Sequence, residues 1–190
     1  MTKKKILVSI FILGLVYILA PGPTSVNDFP SLANSLKSSE PGDTVQVPNI
    51  AAYFSDYDRA GITSFYRGAF RNLYLVNKLI PPISLNYPPE NANSFVRDQQ
   101  VSTFLEEYLY PLRGSIFVNG YDPNVENEMK KRNHTFIGDH LHIQGRYFNS
   151  KTTLRFYPAD SFNRLIVYFG IWIAGIAIYE LGIREFRKNS

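Results

Sequence analysis

The sequence predicts an α+β domain flanked by an N-terminal and a C-terminal transmembrane helix. Two observations support the membrane part: each end of the 190-residue chain carries a long apolar run, and basic residues lie beside each run. A third observation concerns the residues between the runs, where apolar residues at helical spacing precede alternating apolar and polar residues. This order predicts helices followed by a small antiparallel sheet.

The first apolar run follows Lys3, Lys4 and Lys5 and extends from Ile6 to Ala20 without a charge. As a helix it would span about 22 Å, which is short of a hydrocarbon core of about 30 Å. Residues 1–20 are therefore expected to be a signal-anchor or a cleaved signal peptide. The absence of a good small-residue cleavage site favours the uncleaved anchor.

The second run covers residues 165–183 and contains one charged residue, Glu180. Nineteen residues of this composition are enough to cross a bilayer, so we expect a transmembrane helix followed by a basic tail, residues 184–190. Gly170, Ala174 and Ala177 share one face of this helix, where small side chains would allow close helix packing.

Basic flanks place both termini on the cytoplasmic side of the plasma membrane if the first run is retained. Residues 21–163 would then form an extracytoplasmic domain. This domain contains 13 basic and 14 acidic residues, so it offers no surplus of positive charge to a nucleic acid. We expect a lipid bilayer as one partner and no nucleic acid. The lack of cysteine excludes disulfides, thiolate metal sites and a cysteine nucleophile.

Within the domain, the first half is expected to be mainly helical. Apolar spacing predicts helices over residues 28–37, 63–77 and 94–110, with Thr63 as a cap of the second. A short strand is predicted at 44–47. Two Pro-Pro pairs predict an extended path over residues 79–90, either as a stiff connector or as a docking strip.

The second half is expected to form the sheet. Strands are predicted at residues 115–118, 135–137, 140–144 and 152–157, with a hairpin loop at 148–151. Residues 120–132 are polar and are expected to be an exposed loop.

Two groups of side chains are candidates for function. The first is a set of tyrosines expected in loops, where aromatic rings can anchor a protein interface: Tyr53, Tyr57, Tyr87, Tyr110 and Tyr121. The second is a possible metal site formed by His134, Asp139, His140 and His142. His140 and His142 would project from the same strand face, as paired histidine ligands of zinc do, although a solvated polar face is the simpler interpretation.

The leading hypothesis is a membrane-anchored binding or assembly protein of the cell envelope, without catalysis and without a cofactor. Its partner would be an envelope protein or another copy of the chain. The alternative is a metal-dependent envelope hydrolase that uses the histidine cluster.

Overall fold

The computed structural model describes residues 3–39, 43, 48–73, 80–88, 102–120 and 141–188. The chain divides into two compact units. One unit combines Met1–Ala20 with Ala159–Ser190, and the other is Pro21–Pro158. The fold class is α+β, as the sequence predicts, with three α-helices and one main antiparallel sheet among the described residues.

The Pro21–Pro158 unit is built on a six-stranded sheet in the order β1-β2-β8-β5-β4-β3, in which every neighbouring pair is antiparallel. These strands are β1 Leu36–Lys37, β2 Ile50–Ser55, β3 Ile83–Tyr87, β4 Phe104–Tyr110, β5 Gly114–Gly120 and β8 Ser150–Pro158. β6 Leu141–Ile143 and β7 Arg146–Phe148 form a separate two-stranded ribbon. Strands β1 and β2 come before the α-helix Arg59–Asn72, so the sheet does not begin only after the helices, as the sequence predicts.

Helix α2, Arg59–Asn72, covers one face of the six-stranded sheet. It begins at Asp58, whose side chain accepts the Gly61 N–H at 2.8 Å, and not at Thr63. Its buried residues Ile62, Tyr66 and Phe70 are spaced by four, which places them on the same side of the helix. Burial of each such side chain stabilises the fold by about 2 kcal/mol.

The core between α2 and the sheet is largely aromatic. Phe70 lies 5.1 Å from Tyr110 and 5.8 Å from Phe29, and Phe29 lies 5.3 Å from Phe156, measured between ring centroids. Offset and tilted ring pairs at these distances contribute beyond their buried area. Because the chain has no cysteine, this unit is stabilised by such packing and not by disulfides.

Two predicted helices are wrong. Residues 104–110 form strand β4, not the end of a helix over 94–110, because both faces of this strand are largely buried and its apolar residues therefore mimic helical spacing. Over residues 28–37 the chain instead has a 3₁₀ turn at Val26–Asp28, then irregular backbone and β1.

The 3₁₀ turn is held by Asp28. The backbone N–H groups of Thr24 and Ser25 donate to its Oδ2 at 2.7 and 3.1 Å. These hydrogen bonds, with Thr24 contributing most, hold the pKa of the Asp28 carboxyl below its usual range.

The predicted hairpin loop at 148–151 is also misplaced. The turn lies at Gln144 and Gly145, which have φ of 53° and 78°, between the paired residues Ile143 and Arg146. A two-residue loop with both φ values positive matches the twist of a β-hairpin and favours glycine. The strands predicted at 115–118 and 152–157 are confirmed as parts of β5 and β8, whereas those at 44–47 and 135–137 lie outside the described residues.

Gly114 allows β5 to start close to β8. Its φ is 145°, and a Cβ placed on it would lie 2.8 Å from the Tyr157 carbonyl oxygen. Both features disfavour any residue with a side chain at this position.

The second unit contains α1, Lys3–Leu19, and α3, Ser161–Lys188. Of the described helices, the stretch Ser161–Arg187 is long and apolar enough to cross a membrane. Helix α1 has 17 residues, and its predicted role as a second span stays a prediction. The two helices are in contact where Phe11 lies 5.6 Å from Tyr168 and 5.3 Å from Trp172, between ring centroids.

This helix contact uses a different face of α3 from the one that the sequence predicts for packing. Gly170, Ala174 and Ala177 are exposed and lie on the side of α3 opposite to Tyr168 and Trp172. Contact of that stripe with another helix stays a prediction. On α1, Gly14 makes room for Tyr168, because a Cβ there would lie 2.5 Å from the Tyr168 hydroxyl oxygen.

Candidate interaction surface

The six-stranded sheet has a second face, opposite to α2, which we call the outer face. Successive side chains of a strand point to opposite faces, and directly paired residues share a face. Since Tyr108 on the inner face reaches α2, through a hydrogen bond from its hydroxyl to the Thr63 carbonyl at 3.1 Å, its neighbours Glu107 and Leu109 lie on the outer face. The register then places the odd-numbered residues of β3, β5 and β8 there as well.

Large apolar side chains are exposed on this face, two of them on the edge strand β3 and one on β8. Ile83, Leu85 and Tyr157 are 48%, 40% and 46% exposed. Tyr87 and Phe117 lie beside them and are half-buried. We call these five residues the outer patch. Exposed apolar and aromatic residues that are contiguous on a rigid sheet are typical of an interaction surface.

The aromatic rings of the outer patch form a connected cluster. The Phe117 ring lies 6.2 Å from that of Tyr87 and 5.5 Å from that of Tyr157, the latter at an interplanar angle of 80°. Phe117 of β5 therefore contacts Tyr87 of β3 across β4, and Tyr157 of the neighbouring strand β8. Because these rings stand on paired strands, their positions are fixed before any partner arrives, which reduces the entropy cost of binding.

Polar groups hold two of these rings in place. The Tyr87 hydroxyl donates to Glu107 Oε2 at 2.6 Å, and this hydrogen bond, together with burial, raises the pKa of Tyr87 to about 12. On the other side of the patch, Arg155 Nη1 donates to the Tyr157 hydroxyl at 3.2 Å. The register places the acidic group, Glu107, between Leu85 and Phe117, and the basic group, Arg155, on the other side of Phe117.

Strand β3 forms one edge of the sheet among the described residues. One side of its backbone pairs with β4, and no described strand pairs with the row of peptide groups on the other side. Pro82 precedes the strand and Pro88 follows it, and proline has no N–H to donate to a ladder. The edge can therefore accept only a short added strand, next to Ile83 and Leu85.

The predicted tyrosines occupy different environments. Tyr53 in β2 and Tyr110 in β4 are buried in the core, so the expectation that they lie in exposed loops is wrong. Tyr57 is exposed, Tyr87 belongs to the outer patch, and Tyr121 lies outside the described residues. Sequence reasoning missed Ile83, Leu85, Phe117 and Tyr157, although the alternation around residues 83–87 was a usable signal.

The predicted metal site is not tested by the described residues. His134, Asp139 and His140 lie outside the described residues, and the described His142 stacks on Tyr147 at 4.5 Å between ring centroids. Within the described ranges, no three His, Asp or Glu residues come together as a metal site would require. The metal site, and the hydrolase that would depend on it, stay predictions.

A polar cluster lies away from the outer patch. The Ser38 hydroxyl donates to Asp43 Oδ2, and Lys151 Nζ lies 2.8 Å from the same oxygen. Ser38 and Asp43 are buried, and Lys151 also lies 5.5 Å from the centre of the Phe54 ring. The charges of Asp43 and Lys151 neutralise each other, and this ion pair connects the segment after β1 to β8.

No protein-family model, curated protein or solved structure matches this chain. The functional argument therefore rests on the residues themselves.

Proposed function

We propose that this chain is a membrane-anchored, non-catalytic binding or assembly protein of the cell envelope. Its extracytoplasmic α+β domain binds a partner protein through the outer patch. The observation that carries the proposal is the exposure of Ile83, Leu85 and Tyr157 on one sheet face beside an edge strand.

The membrane part of the proposal depends on α3. This helix is long and apolar enough to span a bilayer and exposes most of its large apolar side chains. Arg184 and Arg187 near its end favour a cytoplasmic C-terminus, and the lysines that begin α1 favour the same side for the N-terminus. Residues 21–163 then face the outside of the plasma membrane.

The chemistry of the outer patch favours a protein partner. Exposed Ile83 and Leu85 offer apolar area to alternate side chains of an extended segment. The edge of β3 that no described strand pairs with offers backbone hydrogen bonds to the same segment. The partner is then an envelope protein or a second copy of this chain that contributes a short strand.

Site-specific photocrosslinking in cells tests this proposal. A photoreactive phenylalanine analogue at Leu85 should crosslink a discrete partner, whereas the same analogue at Gly68 should not. Gly68 is a suitable control because it lies in α2 and a side chain there meets open space.

A second variant gives the direction of the effect. Leu85→Lys should abolish partner binding measured by crosslinking from the neighbouring Ile83, because it places a charge in the apolar patch. Because Leu85 is exposed, this substitution should change the free energy of unfolding only slightly. Equal crosslinking from positions 85 and 68, or full binding by Leu85→Lys, would contradict the proposal.

A further inference from the structure

Helices α1 and α3 are in contact at Phe11 and Tyr168. An open cleft lies between them, near the N-terminus of α1, where Lys3 and Lys4 are located. The cleft has a volume of about 770 Å³. Leu7 of α1 and Ile171, Trp172 and Ile176 of α3 line it. Its interior is therefore apolar and suited to a hydrocarbon chain.

Two positive charges lie at the mouth of this cleft. Lys3 and Lys4 line it, and Tyr179 of α3 lies on the facing side. Among the described residues, neither lysine has an ion-pair partner, and the nearby Glu180 faces Arg184 at 3.8 Å instead. Two uncompensated ammonium groups beside an apolar cleft complement a molecule with a negative headgroup and a hydrocarbon tail.

We infer that this cleft binds an anionic phospholipid, with an acyl chain against Ile171 and Ile176 and the phosphate against Lys3 and Lys4. Basic pockets between membrane helices on the cytoplasmic side are suited to such headgroups. A soluble phosphate compound would leave the apolar part of the cleft empty, and so a lipid is the occupant that matches both parts. The inference rests on membrane insertion of α3 and on retention of α1, but not on the outer patch.

Native mass spectrometry of the full-length chain in detergent tests the inference. The chain is titrated with phosphatidylglycerol and with phosphatidylcholine that carries the same acyl chains. We expect one phosphatidylglycerol to bind more tightly than phosphatidylcholine, and soluble glycerol phosphate not to compete. Equal binding of the two lipids, or full competition by glycerol phosphate, would overturn the inference.

The chain offers a matched control for the charges. Lys4→Gln should weaken phosphatidylglycerol binding about five-fold, whereas Lys5→Gln should leave it unchanged. Lys5 carries the same charge one residue away but does not line the cleft. Equal losses in the two variants would mean that the lipid responds only to general surface charge, and the site would be rejected.

A second pair of variants tests the apolar part. Gly175 lines the cleft, and a side chain there meets open space, so Gly175→Leu should fill the cleft and lower retention of both lipids at least ten-fold. Gly182→Leu adds the same side chain in open space away from the lining and should have no effect. Unchanged lipid binding by Gly175→Leu would overturn the inference. A dimer of the natural chain that dissociates in the Gly175→Leu variant would also overturn it, because the cleft would then hold a second copy of the chain and not a lipid.

Flotation of the same variants with liposomes separates this inference from the proposed function. A chain that floats with vesicles but shows no lipid preference refutes only the lipid site. A chain that fails to float refutes the membrane anchor, and with it both proposals.

Discussion

The ion pair between Arg59 and Glu106 should couple helix α2 to the sheet. Arg59 Nε and Nη2 donate to Glu106 Oε1 at 3.1 and 2.8 Å, and the two side chains are only 27% and 17% exposed. The Tyr108 hydroxyl lies 2.7 Å from the other carboxylate oxygen, Oε2. Because Glu106 lies on the inner face of β4, the pair joins two elements that are distant in the sequence.

The expected coupling follows from this geometry. A hydrogen bond to a charged group contributes about 1.5–3 kcal/mol when buried, and an exposed ion pair contributes about 0–1 kcal/mol. With both side chains mostly buried but not dry, we expect a coupling free energy of about 1.5 kcal/mol. The double-mutant cycle uses Arg59→Met and Glu106→Gln, which keep side-chain volume while removing one charge each.

Urea unfolding of the full chain in detergent, followed by the near-ultraviolet circular dichroism of the tyrosines, measures this coupling. The single tryptophan, Trp172, lies in α3 and does not report on the sheet. The control is the pair of Asp56 and Arg146, with a similar 2.7 Å distance but 47% and 51% side-chain exposure, for which we expect about 0.5 kcal/mol or less. If the two cycles give the same coupling, burial does not set the strength of the inner pair and the reasoning is refuted.

Three further predictions follow from single positions. Gly114→Ala should destabilise the chain by about 1–3 kcal/mol because of its positive φ and close backbone contact, whereas Gly68→Ala in α2 should be neutral or slightly stabilising, as thermal unfolding would show. Because the Asp28 carboxyl has a lowered pKa in the folded state, it stabilises the fold fully above the usual pKa near 3.8, and this stabilisation is lost as the pH falls through the folded-state pKa. The urea midpoint of the Asp28→Asn variant should therefore depend less on pH in the acid range. Because Tyr87 has a pKa raised to about 12, its contribution is complete below the usual pKa of 10.0 and is lost as the pH rises through 12. Glu107→Leu, which removes the acceptor, should lower that pKa in a titration of tyrosine absorbance, and an unchanged value would exclude the hydrogen bond as its cause.

Local pattern predicted the elements that have one buried face. Apolar spacing indicated a helix at residues 63–77. Of this range the structure describes residues 63–73, and α2 includes nearly all of them. Alternation indicated strands at 115–118 and 152–157 for the same reason. Strand β4 could not be recognised in this way, because it is largely buried on both faces and its apolar residues therefore do not alternate.

The candidate site was harder to predict than the fold. Whether a strand residue is exposed depends on which face it shares with distant elements, and that packing is non-local. Tyr53 and Tyr110 are buried because they lie on the inner face that packs against α2, whereas Ile83 and Leu85 lie on the outer face and are exposed. Of the predicted interface residues that the structure describes, only Tyr87 lies in the outer patch.

Accessibility of single cysteines tests the central claim most directly, because the natural chain contains no cysteine to give a background. Gly68→Cys lies on the exposed side of α2, and Arg187→Cys lies at the basic end of α3. In right-side-out membrane vesicles, a membrane-impermeant maleimide should label position 68 at once and position 187 only after permeabilisation. Protection of position 68, or equal labelling of both positions in intact vesicles, would contradict an extracytoplasmic domain anchored by a membrane-spanning α3.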